Sequence, residues 1–189
     1  MIDEPALVGQ ARERATELGF DLSSEPGVGA LLATLAAAAP WKARICELGT
    51  GAGVGLAWIV YGLGGRDDVT VYTVDMNQEM LATVATAGWP DYVEFVCDDG
   101  AHAVTEFAPL DLVFADAQGG KLDGLDLTIA ALAPGGMLVV DDMDVSRHTT
   151  DGLSEAISAV REHLVGDPTL VAAELDFASG VIVATKRSV

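Results

Sequence analysis

Apolar positions along this chain recur with two periods, one helical and one alternating, and the order of the two sets out an architecture. Residues 6–18 and 28–39 carry Ala- and Leu-rich helical patterns, parted by Ser23-Ser24-Glu25-Pro26-Gly27, a helix-start signal. From there strands are predicted at 43–48, 69–74, 92–97, 110–115 and 137–140, and helices at 54–62, 78–86, 101–106 and 122–133. A further helix is predicted over 151–164. Two β-rich runs follow, 170–175 and 181–185, whose connection through Ser179-Gly180 is too short for a crossover and predicts an antiparallel hairpin. The expected fold class is α/β, a doubly wound, mostly parallel seven-stranded sheet with helices on both faces and a C-terminal antiparallel hairpin. Such sheets bind ligands at the carboxyl ends of their strands.

The run Glu47-Leu48-Gly49-Thr50-Gly51-Ala52-Gly53 joins the first predicted strand to a helix. Glycines at that junction let the backbone turn tightly and approach a ligand that a Cβ would exclude, while the helix start offers unpaired N–H groups. Asp75, closing the next strand, is placed to accept hydrogen bonds from a ribose diol. A dinucleotide fingerprint needs glycines at the first, third and sixth places. Counted from Gly49 the sixth is Val54, and from Gly51 it is Leu56, so neither register fits. The pattern is acid-x-Gly-x-Gly-x-Gly, and Glu47 stands where a carboxylate suits a cationic group better than a pyrophosphate. It resembles motif I of the class I S-adenosylmethionine-dependent methyltransferases, which implies a Rossmann-like core.

At 189 residues the chain is expected to form one domain, 1–189, with N-terminal helices over 1–40 and the sheet-bearing core over 41–189. No run reaches the roughly 18 uninterrupted apolar residues of a membrane span. The start, Met1-Ile2-Asp3-Glu4-Pro5, lacks the basic-then-apolar order of an export signal, so a cytoplasmic location is expected. A formal charge of −19, from 29 acids against 10 bases, disfavours nucleic acid and anionic lipid as partners. Cys46 and Cys97 fall inside predicted buried strands and are expected to be reduced core residues.

Five acids fall at the predicted carboxyl ends of successive strands: Glu47, Asp75, Asp99, Asp116 and Asp141, the last doubled by Asp142. In a parallel sheet those ends share one rim, so residues remote in sequence meet around one crevice. An aspartate after a strand also often caps the next helix, which is the simpler explanation for any one of them.

Residue by residue, positions from about Gly29 to Arg187 resemble the cation-dependent O-methyltransferase family, which includes catechol O-methyltransferase and small bacterial relatives. Gly29-Ala30-Leu31-Leu32, Glu47-Leu48-Gly49-Thr50 with Gly53, and Val74-Asp75-Met76-Asn77 match its early motifs. Cys97-Asp98-Asp99-Gly100, Asp111-Leu112-Val113-Phe114-Ala115-Asp116-Ala117, and Pro134-Gly135-Gly136 with Val139-Val140-Asp141-Asp142 match its later ones. The resemblance implies S-adenosyl-L-methionine held by Glu47, Gly49, Thr50, Gly51, Gly53, Asp75, Met76, Asp99 and Gly100, with Asp116 beside the transferred methyl. It also implies a metal site of Asp116, Asp141 and Asp142, for which Mg²⁺ is the candidate, a hard ion that takes oxygen ligands and would orient and acidify an acceptor hydroxyl. The implied activity is O-methylation of a small-molecule acceptor, and a homodimer is the family-based expectation. The alternatives are an NAD(P)-dependent oxidoreductase, which the motif and the terminal hairpin oppose, and a non-catalytic S-adenosylmethionine-binding protein.

Several positions depart from the family pattern. The lysine expected three residues after Asp116 is Gly119. Lys121 is the nearest, a candidate catalytic residue if Gly119-Gly120 folds the loop back and otherwise a solvated lysine at a helix start. Val54-Gly55 replaces a Tyr-Ser pair, and Asp142 replaces an Asn. Fewer than 30 residues precede the Gly29 helix, so the acceptor lid is small or comes from the 144–151 loop or a partner subunit. His148, just past Asp141-Asp142, is the third candidate catalytic residue. His102 lies on the adenine side, His163 on a helix surface, and Trp41, Trp58 and Trp89 are expected in the core or a turn.

Overall fold

The computed structural model describes residues 4–148, 150 and 152–188. Helix α1 (Ala6–Leu18) ends at Gly19, whose left-handed φ of 63° lets its N–H return to the carbonyls of Ala15 and Thr16. Helix α2 (Pro26–Ala37) starts earlier than the pattern predicts because Pro26, with no N–H to lose, occupies the first turn. Glu25 is the N-cap and makes no side-chain bond there.

The alternating part follows as β1 (Arg44–Leu48), α3 (Val54–Leu63), β2 (Thr70–Val74), α4 (Gln78–Ala85), β3 (Val93–Val96), α5 (Gly100–Glu106) and β4 (Leu110–Ala115). It continues with α6 (Leu125–Ala131), β5 (Leu132–Val140), a 3-10 turn at Val145–Arg147, α7 (Leu153–Gly166), β6 (Leu170–Leu175) and β7 (Val181–Lys186). The predicted start of α7 at Asp151 lies outside the described residues, as do residues 1–3 and position 149 of the 144–151 loop.

The seven strands form one sheet in the order β3-β2-β1-β4-β5-β7-β6. The first five pair in parallel, and β7 runs against both β5 (Val140↔Ile182) and β6 (Leu175↔Val181), which is the predicted hairpin. Side chains alternate across the sheet. Ile45, Val71, Leu112 and Phe114 pack with Val8, Leu32, Leu56 and Ile59 of α1–α3. Cys46, Leu48, Val113 and Ala115 pack on the other face with Ala103, Ile129, Ile157 and Leu164 of α5–α7. Each fully buried large side chain of these clusters contributes about 1.5–3 kcal/mol of burial.

Three expectations are corrected. Helix α6 begins at Leu125, after Gly124, rather than at 122, because residues 118–123 close a separate turn. Strand β5 reaches back to Leu132, with the Pro134-Gly135-Gly136 segment inside it and a register shift opposite Leu110–Leu112. Cys97 is exposed and lies past the end of β3, an edge strand, with only Cys46 in the core.

Candidate active site

The crossover between strands on either side of β1 opens a crevice at the carboxyl rim, and the glycine loop floors its first half. The N–H groups of Gly49 and Thr50 both donate to the Val74 carbonyl, at 2.9 and 3.1 Å, which pins the loop to the end of β2. Asp75 then accepts from Gly51 N through Oδ2 and from Asn77 N through Oδ1, each at 2.9 Å. Its remaining lone pairs face the cleft that Gly49, Thr50, Gly51 and Asp75 line together. Phe20 and Leu22 close that cleft from the N-terminal segment.

The other expected cofactor residues sit at varying distances from this cleft. Met76 is 72% exposed at the tip beyond Asp75. Gly53 caps α3 and packs toward Val84 and Arg14, and Gly100 packs against the Gly119 carbonyl. Asp99 caps α5 by accepting from Ala101 N and His102 N at 2.9 and 3.3 Å, the simpler explanation offered for a rim aspartate.

Glu47 is not a rim residue. It lies inside β1, completely buried, and strand alternation turns it under α3, on the same face as Ile45. Gly55 makes the room: a Cβ there would stand 2.3 Å from Glu47 Oε1. Oε2 accepts from the Thr73 hydroxyl at 2.5 Å, and Thr73 lies 2.7 Å from the Thr50 hydroxyl, so a buried chain ties Glu47 to the glycine loop. Oε1 has no hydrogen-bond partner among the described residues. Burial pushes this carboxyl up to about 8, with Asp116 and Asp75 adding to the effect and Thr73 opposing it.

The second half of the crevice is dense in charge. Asp116 follows β4 directly, and its N–H donates to the Leu48 carbonyl at 2.9 Å. Burial pushes its carboxyl well above the usual carboxylate range; Asp141 and Asp142 add to this, while Lys121 and Ser24 oppose it. Asp141, after β5, is also raised by burial, against the Ser179 hydroxyl and the Asp142 N–H that both donate to its Oδ1. Lys121 is 7% exposed, and its Nζ donates to the Asp141 carbonyl at 3.1 Å, so the loop does fold back and the lysine is not a solvated one.

His148 Nε2 lies 2.9 Å from the Asp142 carbonyl, which only accepts, so that nitrogen is the donor. Asp116, Asp141, Asp142 and His148 line one cleft with Ser24 and Arg147. The exposed Arg147 reaches across it to Glu25 at 2.5 Å. The three aspartates are thus brought to one place. Among the described residues, however, no group of three His, Cys, Asp or Glu side chains is gathered closely enough to hold a metal ion. The trio does not fit Mg²⁺ as it stands, since the hard ion needs several oxygens turned onto one point, and the nearby lysine ammonium is held at the Asp141 backbone carbonyl.

Of the remaining candidates, His102 pairs with Asp98 at 2.6 Å on the surface, and His163 faces Asp126 at 3.2 Å. Trp58 is core, Trp89 packs in its turn by donating to the Val84 carbonyl, and Trp41 is exposed. Another cleft, between α7 and the β6–β7 pair around Arg161 and Glu174, contains none of the rim acids. Sequence reasoning missed Phe20, Leu22, Ser24, Thr73 and Ser179. Only the Ser23-Ser24 pair carried a signal, and it was absorbed by the helix start.

Residues 46–143 match the family model described as a methyltransferase domain. A probable O-methyltransferase of Mycobacterium tuberculosis is 34% identical over 98% of this chain and 87% of its own length. A putative O-methyltransferase of a Mycobacterium species (strain JLS) is 31% identical over 98% and 88%. The O-methyltransferase TomG of Streptomyces achromogenes, solved with S-adenosylmethionine, superposes with a TM-score of 0.79 at 23% identity, covering 99% of this chain and 92% of that one. An O-methyltransferase of Bacillus cereus, solved with S-adenosylhomocysteine, gives 0.83 at 18% identity over 99% and 93%. With a matching domain model over half the chain, curated relatives along nearly all of it and the reversed β7 in the sheet, the chain belongs to the O-methyltransferases, class I enzymes that use S-adenosylmethionine.

Proposed function

We propose that this enzyme transfers the methyl group of S-adenosylmethionine to an oxygen of a small, uncharged or cationic acceptor bound between the 21–25 segment and the 141–148 loop. The observation that carries this reading is the position of Asp116, which lines both the glycine-loop cleft and the acidic cleft beside it. A methyl on the first side and an acceptor oxygen on the second meet at its carboxylate.

The reaction is a displacement. The acceptor O–H gives its proton to Asp116, the oxygen lone pair takes the methyl, and the C–S bond electrons return to sulfur, leaving S-adenosylhomocysteine. The protein supplies alignment and a proton acceptor, and no covalent intermediate is required. Gly49, Thr50, Gly51 and Asp75 hold the cofactor, with Met76, Asp99 and Gly100 extending the site toward its adenine, Gly53 shaping the helix start and Glu47 supporting the loop from below. His148 forms an acceptor-side wall, and Lys121 works from behind Asp116.

Acidic residues outnumber basic ones in the acceptor cleft, which supports exclusion of nucleic acid and of anionic acceptors. No Mg²⁺ step belongs to this reading, given the arrangement of the aspartates. A cytoplasmic location and a homodimer go with it as proposals; among the described residues no helix is long and apolar enough to cross a membrane.

The test has two parts. Calorimetry is expected to show binding of S-adenosylhomocysteine and none of NAD, and binding of NAD alone would overturn the reading. Incubation with labelled S-adenosylmethionine and a panel of catechols and other small phenols is expected to label a neutral member in preference to carboxylated ones. Labelling confined to the carboxylated phenols would remove the acceptor assignment.

A further inference from the structure

We propose that Lys121 is the resident cation of the acceptor half: its ammonium, held beneath the rim beside Asp116 and Asp141, stands in for a divalent ion, and methyl transfer needs no metal. This rests on the methyl-transfer reading above.

The loop after Asp116 is built to deliver that ammonium. The Gln118 carbonyl accepts from Lys121 N, Leu122 N and Asp123 N at 3.2, 2.8 and 3.0 Å, Gly120 N donates to the Asp123 carbonyl at 2.7 Å, and the Thr128 hydroxyl donates to the Gly120 carbonyl at 2.8 Å. Gly120 has a φ of 88°, and a Cβ on it would stand 2.3 Å from Leu48 Cδ1, so the turn lies hard against the end of β1. A turn fixed on these sides sends the Lys121 stem inward. A lysine with no task below the rim would snorkel to water, because an ammonium taken from water is costly unless it is paired. This one instead donates to the Asp141 backbone carbonyl at 3.1 Å and, without an ion pair to either carboxylate, favours the charged forms of Asp116 and Asp141 from close by.

A divalent ion and an ammonium ask different things of these acids. The hard ion needs several oxygens turned onto one point, with room for its waters. The ammonium needs only to lie near both carboxylates. The second arrangement is the one present: Asp141 Oδ1 is held by Ser179 and the Asp142 N–H, and no three-ligand group is gathered among the described residues. Lys121 lines neither cleft, so it acts through Asp116 and Asp141 and is a positioning residue.

Mn²⁺, which shares the oxygen preference of Mg²⁺ and is visible by electron paramagnetic resonance, tests this on the full chain. The unsubstituted protein is expected to bind no Mn²⁺ up to about 1 mM. Lys121→Met, which keeps the stem and removes the charge, is expected to bind one Mn²⁺ at least about tenfold more tightly. The double variant with Asp116→Asn is expected to lose that ion, and Lys121→Arg, which keeps the charge, to bind none. A Mn²⁺ site in the unsubstituted protein that Asp116→Asn abolishes would overturn the proposal, as would a Lys121→Met protein that binds Mn²⁺ no better. If Lys121→Met fails to fold, the unsubstituted protein and its Asp116→Asn variant decide alone. Calorimetry with S-adenosylhomocysteine on the same samples keeps the two readings apart: failure of the unsubstituted protein to bind it sinks the methyl-transfer reading, whatever Mn²⁺ does.

Discussion

Between Gly49 and Asp75 the rim is held chiefly by backbone N–H donors, whereas between Asp116 and His148 it is held chiefly by side-chain donors. In the first half the Val74 carbonyl takes two loop N–H groups and Asp75 takes two more, all from residues near the strand ends. In the second half Ser24, Lys121, Ser179 and His148 converge on three aspartates from four separate segments. A backbone site constrains few residue types but constrains them tightly, at the glycines. A side-chain site depends on charges whose balance any one member can upset.

That contrast is sharpest at Asp116. Asp116→Asn is expected to lower transfer by about 10²–10⁴-fold while S-adenosylhomocysteine affinity changes by less than about tenfold. Labelled-methyl assays and calorimetry on one preparation measure both, and parallel losses would erase the division between the halves.

Glu47 tests the same division through pH. Its folded-state pKa of about 8 stands above the ordinary 4.5, so the folded chain keeps a proton that the unfolded chain releases. This contribution to stability is full below pH 4.5 and is lost as pH rises toward 8. Glu47→Gln is therefore expected to flatten that decline and, near pH 8, to exceed the parent in stability by on the order of a few kcal/mol, read from urea titrations across the window. A decline equally steep in the variant would show that Glu47 is ionised in the fold.

A smaller effect is expected at the loop itself. Gly51 has a φ of 48°, and a Cβ on it would stand 2.7 Å from the Phe20 ring. Gly51→Ala is expected to cost about 1–3 kcal/mol and to weaken S-adenosylhomocysteine binding, with melting and calorimetry as the readouts. An unchanged affinity would mean that Phe20, and not the glycine, sets the approach to the loop. The smallest effect is expected from Arg147→Ala. Its pair with Glu25 spans the acceptor cleft but is exposed, so the melting temperature should not move measurably, and a clear drop would make the pair a structural clamp.

The backbone half was legible because its signals are local. The glycine spacing, the short strand runs and the post-strand Asp75 each rest on neighbours within a few residues, and the succession of strands and helices along the chain followed from alternation alone. Glu47 was misplaced because motif position says nothing about which face of a strand a residue takes, and the space it fills exists only through Gly55 eight residues on. Lys121 stood two positions from its expected slot, and its burial depends on a turn that was read as the start of a helix. Ser24 reads as part of a helix start, and Ser179 carries no pattern that separates it from an ordinary loop serine. Their role arises only when the N-terminal segment and the β6–β7 turn arrive at the same rim.

That arrival has a use in engineering. Since β7 alone runs against the sheet, the turn before it opens toward the proposed acceptor cleft and touches Asp141 through Ser179, while the glycine loop hangs from β1 and β2 on the far side of β4. A hairpin turn accepts changes of length that a crossover does not. Libraries confined to residues 176–178 are therefore expected to vary the proposed acceptor range while leaving Ser179, Gly180 and the glycine loop in place.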